Sequence, residues 1–153
     1  GRTGYTDNAV LVVSPVEGRF QRWGNGAEYE RWLTDTAPEA TRLGRAPAVQ
    51  SIAVAATRDV PVVVHNWSGV AQNGTVAVTL PGTLTTPTPT LPYSGLAPGT
   101  DVTVTFPVTD TDTVLPTTPQ VSIPITTTYT GGSGAAGTLP AGSGSETLAM
   151  SIV

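Results

Sequence analysis

Residue types that could carry out chemistry are few in this sequence, and they are spread along the chain. His65 is the only histidine, and there is no cysteine. A catalytic zinc ion needs about three protein ligands, and a serine nucleophile needs a histidine held beside a carboxylate. No stretch of the sequence supplies either set. We therefore predict no catalytic residue, no metal ligand and no cofactor, and we expect His65 to pack beside Trp67 or to face solvent.

Two pairs of carboxylates lie close together in the sequence. Asp110 and Asp112 alternate with threonines, as oxygen ligands of calcium often do, but two carboxylates are too few for such a site. We expect both in a solvated loop. Glu28 and Glu30 are two positions apart in a predicted helix, where their side chains point in different directions. This spacing argues against the paired carboxylates of a glycosidase.

Aromatic and charged residues gather in one region near the amino terminus. Trp23, Tyr29 and Trp32 occur there together with Arg22. Sugars stack on exposed aromatic rings while polar groups bind their hydroxyls, so these four residues are the candidate ligand-binding residues. Two interpretations stay open: the residues form a glycan-binding patch, or they dock this region onto a β-sandwich or a neighbouring domain.

The region that carries this cluster, residues 1–47, has the only helical pattern in the chain. Tyr29, Trp32 and Leu33 follow the spacing of one helix face. We predict two short strands and a helix of about two turns, over residues 9–13, 19–23 and 27–34. We interpret residues 1–47 as a small α+β appendage, the end of a preceding domain.

From residue 48 onward the pattern predicts only strands. In residues 102–108, which follow a Pro-Gly turn signal, valine and phenylalanine alternate with threonine and proline, so the apolar side chains share one face. Similar segments recur with turn signals between them. This predicts an all-β, immunoglobulin-like sandwich of about seven strands over residues 48–153. The glycine-rich residues 131–145 are predicted to form a mobile hairpin loop.

Each predicted strand contributes a set of apolar side chains that point inward. The inward sets are Ile52, Val54 and Ala56; Val62 and Val64; Val76, Val78 and Leu80; Val102, Val104, Phe106 and Val108; Val121, Ile123 and Ile125; and Leu148, Met150 and Ile152.

Charge and composition restrict the partners of the chain. Only 12% of the residues are charged, and the formal net charge is −4. A nucleic-acid-binding protein needs a basic face, so we expect no nucleic-acid partner. No run approaches the ~20 apolar residues that span a bilayer, so we expect no membrane span. The threonine-, glycine- and proline-rich composition is typical of extracellular proteins, and a start at Gly1 without a leader suggests a piece of a longer chain.

Four motifs carry a resemblance to a known family. They are Val-Val-Val-His-Asn at residues 62–66, Val-Thr-Leu-Pro at 78–81, Leu-Ala-Pro-Gly at 96–99, and Val-Thr-Val-Thr-Phe-Pro-Val at 102–108. With these motifs, residues 50–153 resemble the immunoglobulin-like accessory domains of the alpha-galactosidase-associated (NPCBM-associated) type, as found in secreted actinobacterial glycosidases and PIG-L-type deacetylases. The resemblance implies an accessory role outside the cell, with catalysis located elsewhere.

Three functions are compatible with these observations. The first is a non-catalytic accessory module of a larger secreted bacterial protein, which orients or stabilises a neighbouring domain of the same polypeptide. The second is a self-assembling structural protein of a phage or cell surface, such as a capsid decoration or tail component. It would be a homo-oligomer and, in a phage, part of the virion. The third is a carbohydrate-binding module.

Overall fold

The computed structural model describes residues 14–22, 28, 31–32, 35–36, 48–134 and 137–153. Eleven strands occur in this part of the chain. They are β1 (Val16–Phe20), β2 (Val49–Ile52), β3 (Thr57–Asn66), β4 (Gln72–Val78), β5 (Leu84–Thr85), β6 (Thr90–Leu96), β7 (Asp101–Asp110), β8 (Gln120–Tyr129), β9 (Gly132–Gly134), β10 (Gly137–Leu139) and β11 (Gly142–Ile152).

Two sheets and a separate hairpin account for all of these strands. The first sheet has the order β1-β3-β7-β5, the second has the order β2-β11-β8-β4-β6, and β9 pairs with β10. In immunoglobulin domains the first, second, fifth and fourth strands form one sheet, and the third, sixth and seventh form the other. The strands β1, β3, β7 and β5 correspond to the first set, and β4, β8 and β11 to the second. The predicted immunoglobulin-like sandwich is therefore confirmed.

The core lies between the inner faces of the two sheets and is built from the alternating apolar residues. Most of the predicted inward side chains are buried there, among them Val62, Val64, Phe106, Ile125 and Met150. Each such side chain contributes about 1.5–3 kcal/mol on burial. Four predicted members are only partly buried, Val54, Ala56, Leu80 and Val121, and Val102 is exposed.

Strand β1 corrects the predicted boundary between the appendage and the sandwich. It forms the edge of the first sheet and pairs with β3 from Val16 opposite Asn66 to Phe20 opposite Val62. Val16 and Phe20 are fully buried in the common core. The prediction started the strand at Arg19 because Gly18 resembles a turn signal, and it assigned the strand to an appendage. Residues 16–20 belong to the sandwich, whereas independent folding of the other residues before 48 stays a prediction.

The chain leaves β1 and returns to β2 at the same edge of the sandwich. The Gln21 amide donates to Pro61 O of β3 at 3.1 Å, and the Gln21 carbonyl accepts a hydrogen bond from Gln50 Nε2 of β2 at 3.4 Å. Strand β2 then runs parallel to β11 in the second sheet. The residues between β1 and β2 are therefore an insertion between two strands of the sandwich.

Gly18 lets β1 approach the second sheet closely. A Cβ at this position would lie 2.0 Å from Thr127 Oγ1, and that hydroxyl is buried without a hydrogen-bond partner in the described part of the chain. We expect Gly18→Ala to lower the free energy of unfolding by about 1–3 kcal/mol, as overpacking of a core does. Urea denaturation will measure it. Adding Thr127→Ala removes the clashing hydroxyl, so the double variant should recover most of the loss; equal losses in both would contradict this contact.

Two loops predicted from the sequence are partly strands. Asp110, predicted in a loop, is the last residue of β7. The glycine-rich residues 131–145 contain the hairpin β9–β10 and the first part of β11, where Gly142 pairs with Tyr129 of β8. Backbone hydrogen bonds build these strands without apolar side chains, so the alternation of side-chain types gave no signal for them.

Candidate functional site

Arg22, one of the four candidate ligand-binding residues, is buried and bonded within the protein. Its Nη1 and Nη2 contact Glu146 Oε1 and Oε2 of β11 at 2.8 and 3.0 Å, and Nη1 also donates to Phe20 O at 2.6 Å. The same Glu146 Oε1 accepts the Phe20 amide at 2.8 Å. The guanidinium therefore fastens the end of β1 to the second sheet and presents little surface to a ligand.

Of the other three candidate residues, Trp32 alone lies among the described residues. Trp23 and Tyr29 lie outside the described residues. Trp32 has helical backbone, as predicted, and its carbonyl accepts a hydrogen bond from the Thr36 hydroxyl one turn later at 2.7 Å. The Trp32 side chain is 58% exposed. A shared glycan-binding or docking patch stays a prediction.

The first sheet carries a second polar and aromatic cluster, the His65 cluster, which consists of Glu17, His65, Trp67 and Asp101. Glu17, His65 and Asp101 are direct neighbours across β1, β3 and β7. His65 Nδ1 bonds the Asp101 carboxylate, and its ring centroid lies 4.2 Å from that of Trp67. Trp67 Nε1 donates to Glu17 Oε1 at 2.7 Å. The predicted packing of His65 beside Trp67 is confirmed.

The chemistry available to the His65 cluster is limited by the groups around it. An Asp–His pair supports hydrolysis when a hydroxyl or thiol donates to the imidazole. The chain has no cysteine. The nearby Ser68 hydroxyl lies 2.7 Å from Asn66 Oδ1 and 2.9 Å from Val70 O, within the next loop. These contacts direct the Ser68 hydroxyl to the Asn66 side chain and to the Val70 carbonyl. The cluster ties β1, β3 and β7 together.

Asn66 is the most completely bonded polar side chain at the end of β3. Its Nδ2 donates to Val70 O at 2.8 Å and to Leu96 O at 2.9 Å, and its Oδ1 accepts the Ser68 amide at 2.9 Å. The side chain is fully buried. The backbone carbonyl of Asn66 also accepts the Gly99 amide at 2.8 Å. Asn66 therefore fixes both the loop after β3 and the turn before β7.

Asp110 is buried, which corrects its predicted place in a solvated loop. Its Oδ1 accepts the Thr83 hydroxyl at 2.6 Å and the Asp112 amide at 3.1 Å, and its own amide donates to Ala56 O at 3.0 Å. Asp112 Oδ1 in turn accepts the Thr113 amide at 2.8 Å. Alternating carboxylates here cap a strand end and shape a turn, and within the described residues no three His, Cys, Asp or Glu side chains group as metal ligands.

Tyr93 titrates differently from an exposed tyrosine. Its hydroxyl donates to Thr128 O at 2.5 Å, and burial, with a further contribution from Tyr129, raises the pKa of Tyr93 to about 12. Because the unfolded chain loses this proton near pH 10, the contribution of Tyr93 is complete below pH 10 and is lost as the pH rises toward 12.

We expect the stability of the wild type to fall more steeply than that of Tyr93→Phe between pH 10 and 12. The difference in slope should be on the order of 1 kcal/mol per pH unit. Chemical denaturation at stepped pH will measure it. The variant also lacks the hydrogen bond to Thr128 at every pH. This lowers its stability by the same amount at each pH and does not change the slope of stability against pH. Parallel curves for the two proteins would contradict the raised pKa.

The comparisons with known proteins leave the family unassigned. No family model and no curated protein matches the chain. Among solved structures it is similar to native Escherichia coli alpha-2-macroglobulin, with 15% identity, a TM-score of 0.44, and coverage of 90% of this chain and 7% of that one. A structure of the same protein from domain MG7 to the carboxyl terminus gives 20%, 0.41, and 65% and 15%. The E. coli chaperone DraB gives 11%, 0.39, and 69% and 51%.

These three likenesses are too distant to carry a functional argument. The chain spans about half of the DraB chain and a far smaller share of the two alpha-2-macroglobulin chains. The immunoglobulin-like architecture therefore rests on the strand order of this chain itself. In the described part of the chain no helix is long and apolar enough to cross a membrane.

Proposed function

We propose that this chain is a non-catalytic β-sandwich module of a larger extracellular bacterial protein, in which it holds neighbouring domains apart and in a fixed orientation. The observation that carries the proposal is the path of the described chain. The chain enters the sandwich near one end and leaves it near the other end. A rigid body with its two connections at opposite ends is suited to act as a spacer. The accessory-domain resemblance supports a carbohydrate-active neighbour.

The two ends of this path are both tied to the sheets. Ser14 lies against Gly144 near the start of β11, and Pro15 O accepts the Trp67 amide at 2.8 Å. At the end of β11, the Val153 amide donates to Ile52 O at 2.9 Å. The nine residue steps from Gly144 to Val153 span about 30 Å in an extended strand. The two ends of the described chain, at Ser14 and Val153, are therefore held at opposite ends of β11.

The use of the polar side chains supports a role without catalysis. The Arg22 guanidinium bonds Glu146, the His65 imidazole bonds Asp101, and Asp110 accepts the Thr83 hydroxyl. Each bond joins two strands or fixes a strand end. These three described contacts thus use polar groups that could take part in reactions to hold the sandwich together.

A fusion with a fluorescent donor domain before Gly1 and an acceptor domain after Val153 tests the spacer role. The matched control joins the same domains through a glycine–serine linker of equal length, which behaves as a flexible coil. We expect a single narrow distribution of transfer efficiency for the fusion and a broad one for the control. The same broad distribution in both would contradict the proposal.

Carbohydrate binding is a second candidate because Trp32 presents an exposed indole. Such a ring can stack on a sugar face. A glycan array, followed by Trp32→Ala on any positive glycan, tests this role. Binding that Trp32→Ala abolishes would support it, and no binding to any glycan would remove it.

A further inference from the structure

Strand β7 has an edge that is mostly without a partner among the described strands. Strand β3 pairs with β7 along its length, from Thr109 to Asp101. On the other side of β7, the short β5 pairs only with Asp110 and Thr109. Among the described strands, none therefore lies beside residues 101–108 on that side.

The inner face of β7 becomes progressively more exposed along this open edge. Phe106 and Val108, next to β5, are 0 and 1% exposed, whereas Val104 is 9% and Val102 is 36% exposed. Alternation places all four side chains on one face, as the sequence predicted. Val102 therefore points toward the space between the sheets, but no described strand covers it. The exposed apolar surface on this edge is that of Val102, and the largely buried Val104 lies next to it on the same face.

Backbone groups on the same edge face no other described strand. The Asn66 amide donates to Thr100 O, and the Asp110 amide donates to Ala56 O, so even-numbered residues of β7 direct their backbone groups toward β3. By alternation, Thr103 and Thr105 direct theirs toward the open side. An exposed sheet edge of this kind is a template for an additional strand. Pro107 has no amide hydrogen, and it ends the run.

We propose that this edge binds residues 9–13 of a second copy of the chain as an added strand. These residues read Ala-Val-Leu-Val-Val, a β-branched, apolar run without proline. At about 3.3 Å per residue they span about 16 Å, the length of five residues of the open part of β7, such as residues 102–106. Alternate side chains of the added strand would cover Val102 and Val104, and its backbone would pair with Thr103 and Thr105.

Geometry requires the strand to come from another copy. Val13 is followed directly by Ser14, which lies beside Gly144 at the β1 edge of the sandwich. The position beyond β7 is three strand spacings from β1, about 14 Å in the sheet direction. No linker is present to cross this distance within one chain. The donating and accepting surfaces are different, so the contact yields an exchanged dimer, a ring or an open chain of copies.

Light scattering on the full chain, with one variant on each surface, tests the proposal. Thr105→Pro removes an amide hydrogen on the open edge without removing a bond to β3, and Thr105→Ala is its control. Leu11→Asp places a charge in the donated run, and Asn8→Asp is the control with the same charge change. We expect the wild type and both controls to associate as the concentration rises, and Thr105→Pro and Leu11→Asp each to remain monomeric.

Mixing the two monomeric variants gives the decisive result. Thr105→Pro keeps the donating run, and Leu11→Asp keeps the accepting edge, so an equimolar mixture should form a one-to-one dimer. Thermal unfolding verifies that Thr105→Pro is folded, and Thr103→Pro replaces it if it is not. A wild type that stays monomeric, an association that Leu11→Asp does not abolish, or a mixture that stays monomeric would each overturn the proposal. The inference does not rest on the proposed spacer role.

Discussion

Glu146→Ala is expected to lower the free energy of unfolding by about 3–5 kcal/mol, the usual loss when one partner of a buried ion pair is removed. The Arg22 and Glu146 side chains are only 5 and 11% exposed. Without the carboxylate, the Arg22 guanidinium loses its two contacts with Glu146, and the Phe20 amide loses the Glu146 acceptor. Urea unfolding measures the change, and Glu28→Ala, at an exposed position, should change stability by no more than about 0.5 kcal/mol.

The double variant Arg22→Met with Glu146→Leu separates the pair from its surroundings. Apolar replacement of both partners of a buried pair is often close to neutral, because no charge is left unpaired. We expect the double variant to be more stable than either Arg22→Met or Glu146→Leu alone. If the stability losses of the two single variants simply add in the double variant, the two side chains do not interact. That result would contradict the Arg22–Glu146 contact that joins the end of β1 to β11.

Asn66→Asp is expected to cost about 3 kcal/mol or more, although the two side chains have the same shape. Aspartate cannot supply both hydrogen bonds that Asn66 Nδ2 donates, to Val70 O and Leu96 O. It also places a charge in a site with no solvent access. Buried acceptors that lose their donors and a buried charge each carry penalties of kcal/mol size. Denaturant unfolding at neutral pH measures the loss.

Asn73→Asp is the matched control for this prediction. Asn73 is exposed, and its Oδ1 accepts the Gly95 amide at 2.7 Å, a bond that aspartate retains. The same change of amide to carboxylate should therefore be nearly neutral at Asn73. A similar loss at both positions would show that the charge itself is responsible, and would contradict the role of Asn66 as the centre of the two loops.

The parts of this fold that the sequence predicts are those governed by alternation of side chains. Val62, Val64, Ile123 and Ile125 occupy the inward positions that their spacing requires. Val102 has the predicted orientation but is exposed, because exposure depends on whether another strand lies beside β7. Strand order and edge coverage are tertiary properties, and alternation within one segment does not encode them.

The polar contacts were missed for a related reason. Arg22 and Glu146 are separated by 124 positions in the sequence, and only the register of β1 and β11 brings them together. In the sequence, Arg22 therefore groups with the aromatic residues beside it. Glu17 and Asp101 flank His65 only once three strands are paired. A glycine at position 18 predicts a turn. Its reason in the fold is the close approach of Thr127 from the other sheet, which the sequence does not show.

Native-state hydrogen exchange at the amides of β1 and of Gln21 tests most directly whether this strand is an integral part of the sandwich. The Phe20 amide donates to Glu146 at 2.8 Å, and the Gln21 amide donates to Pro61 O at 3.1 Å. If β1 is an integral part of the sandwich, both amides should exchange only through global unfolding, with the same free energy as the central amides of β3. Fast exchange of Phe20 and Gln21 while β3 stays protected would contradict the account.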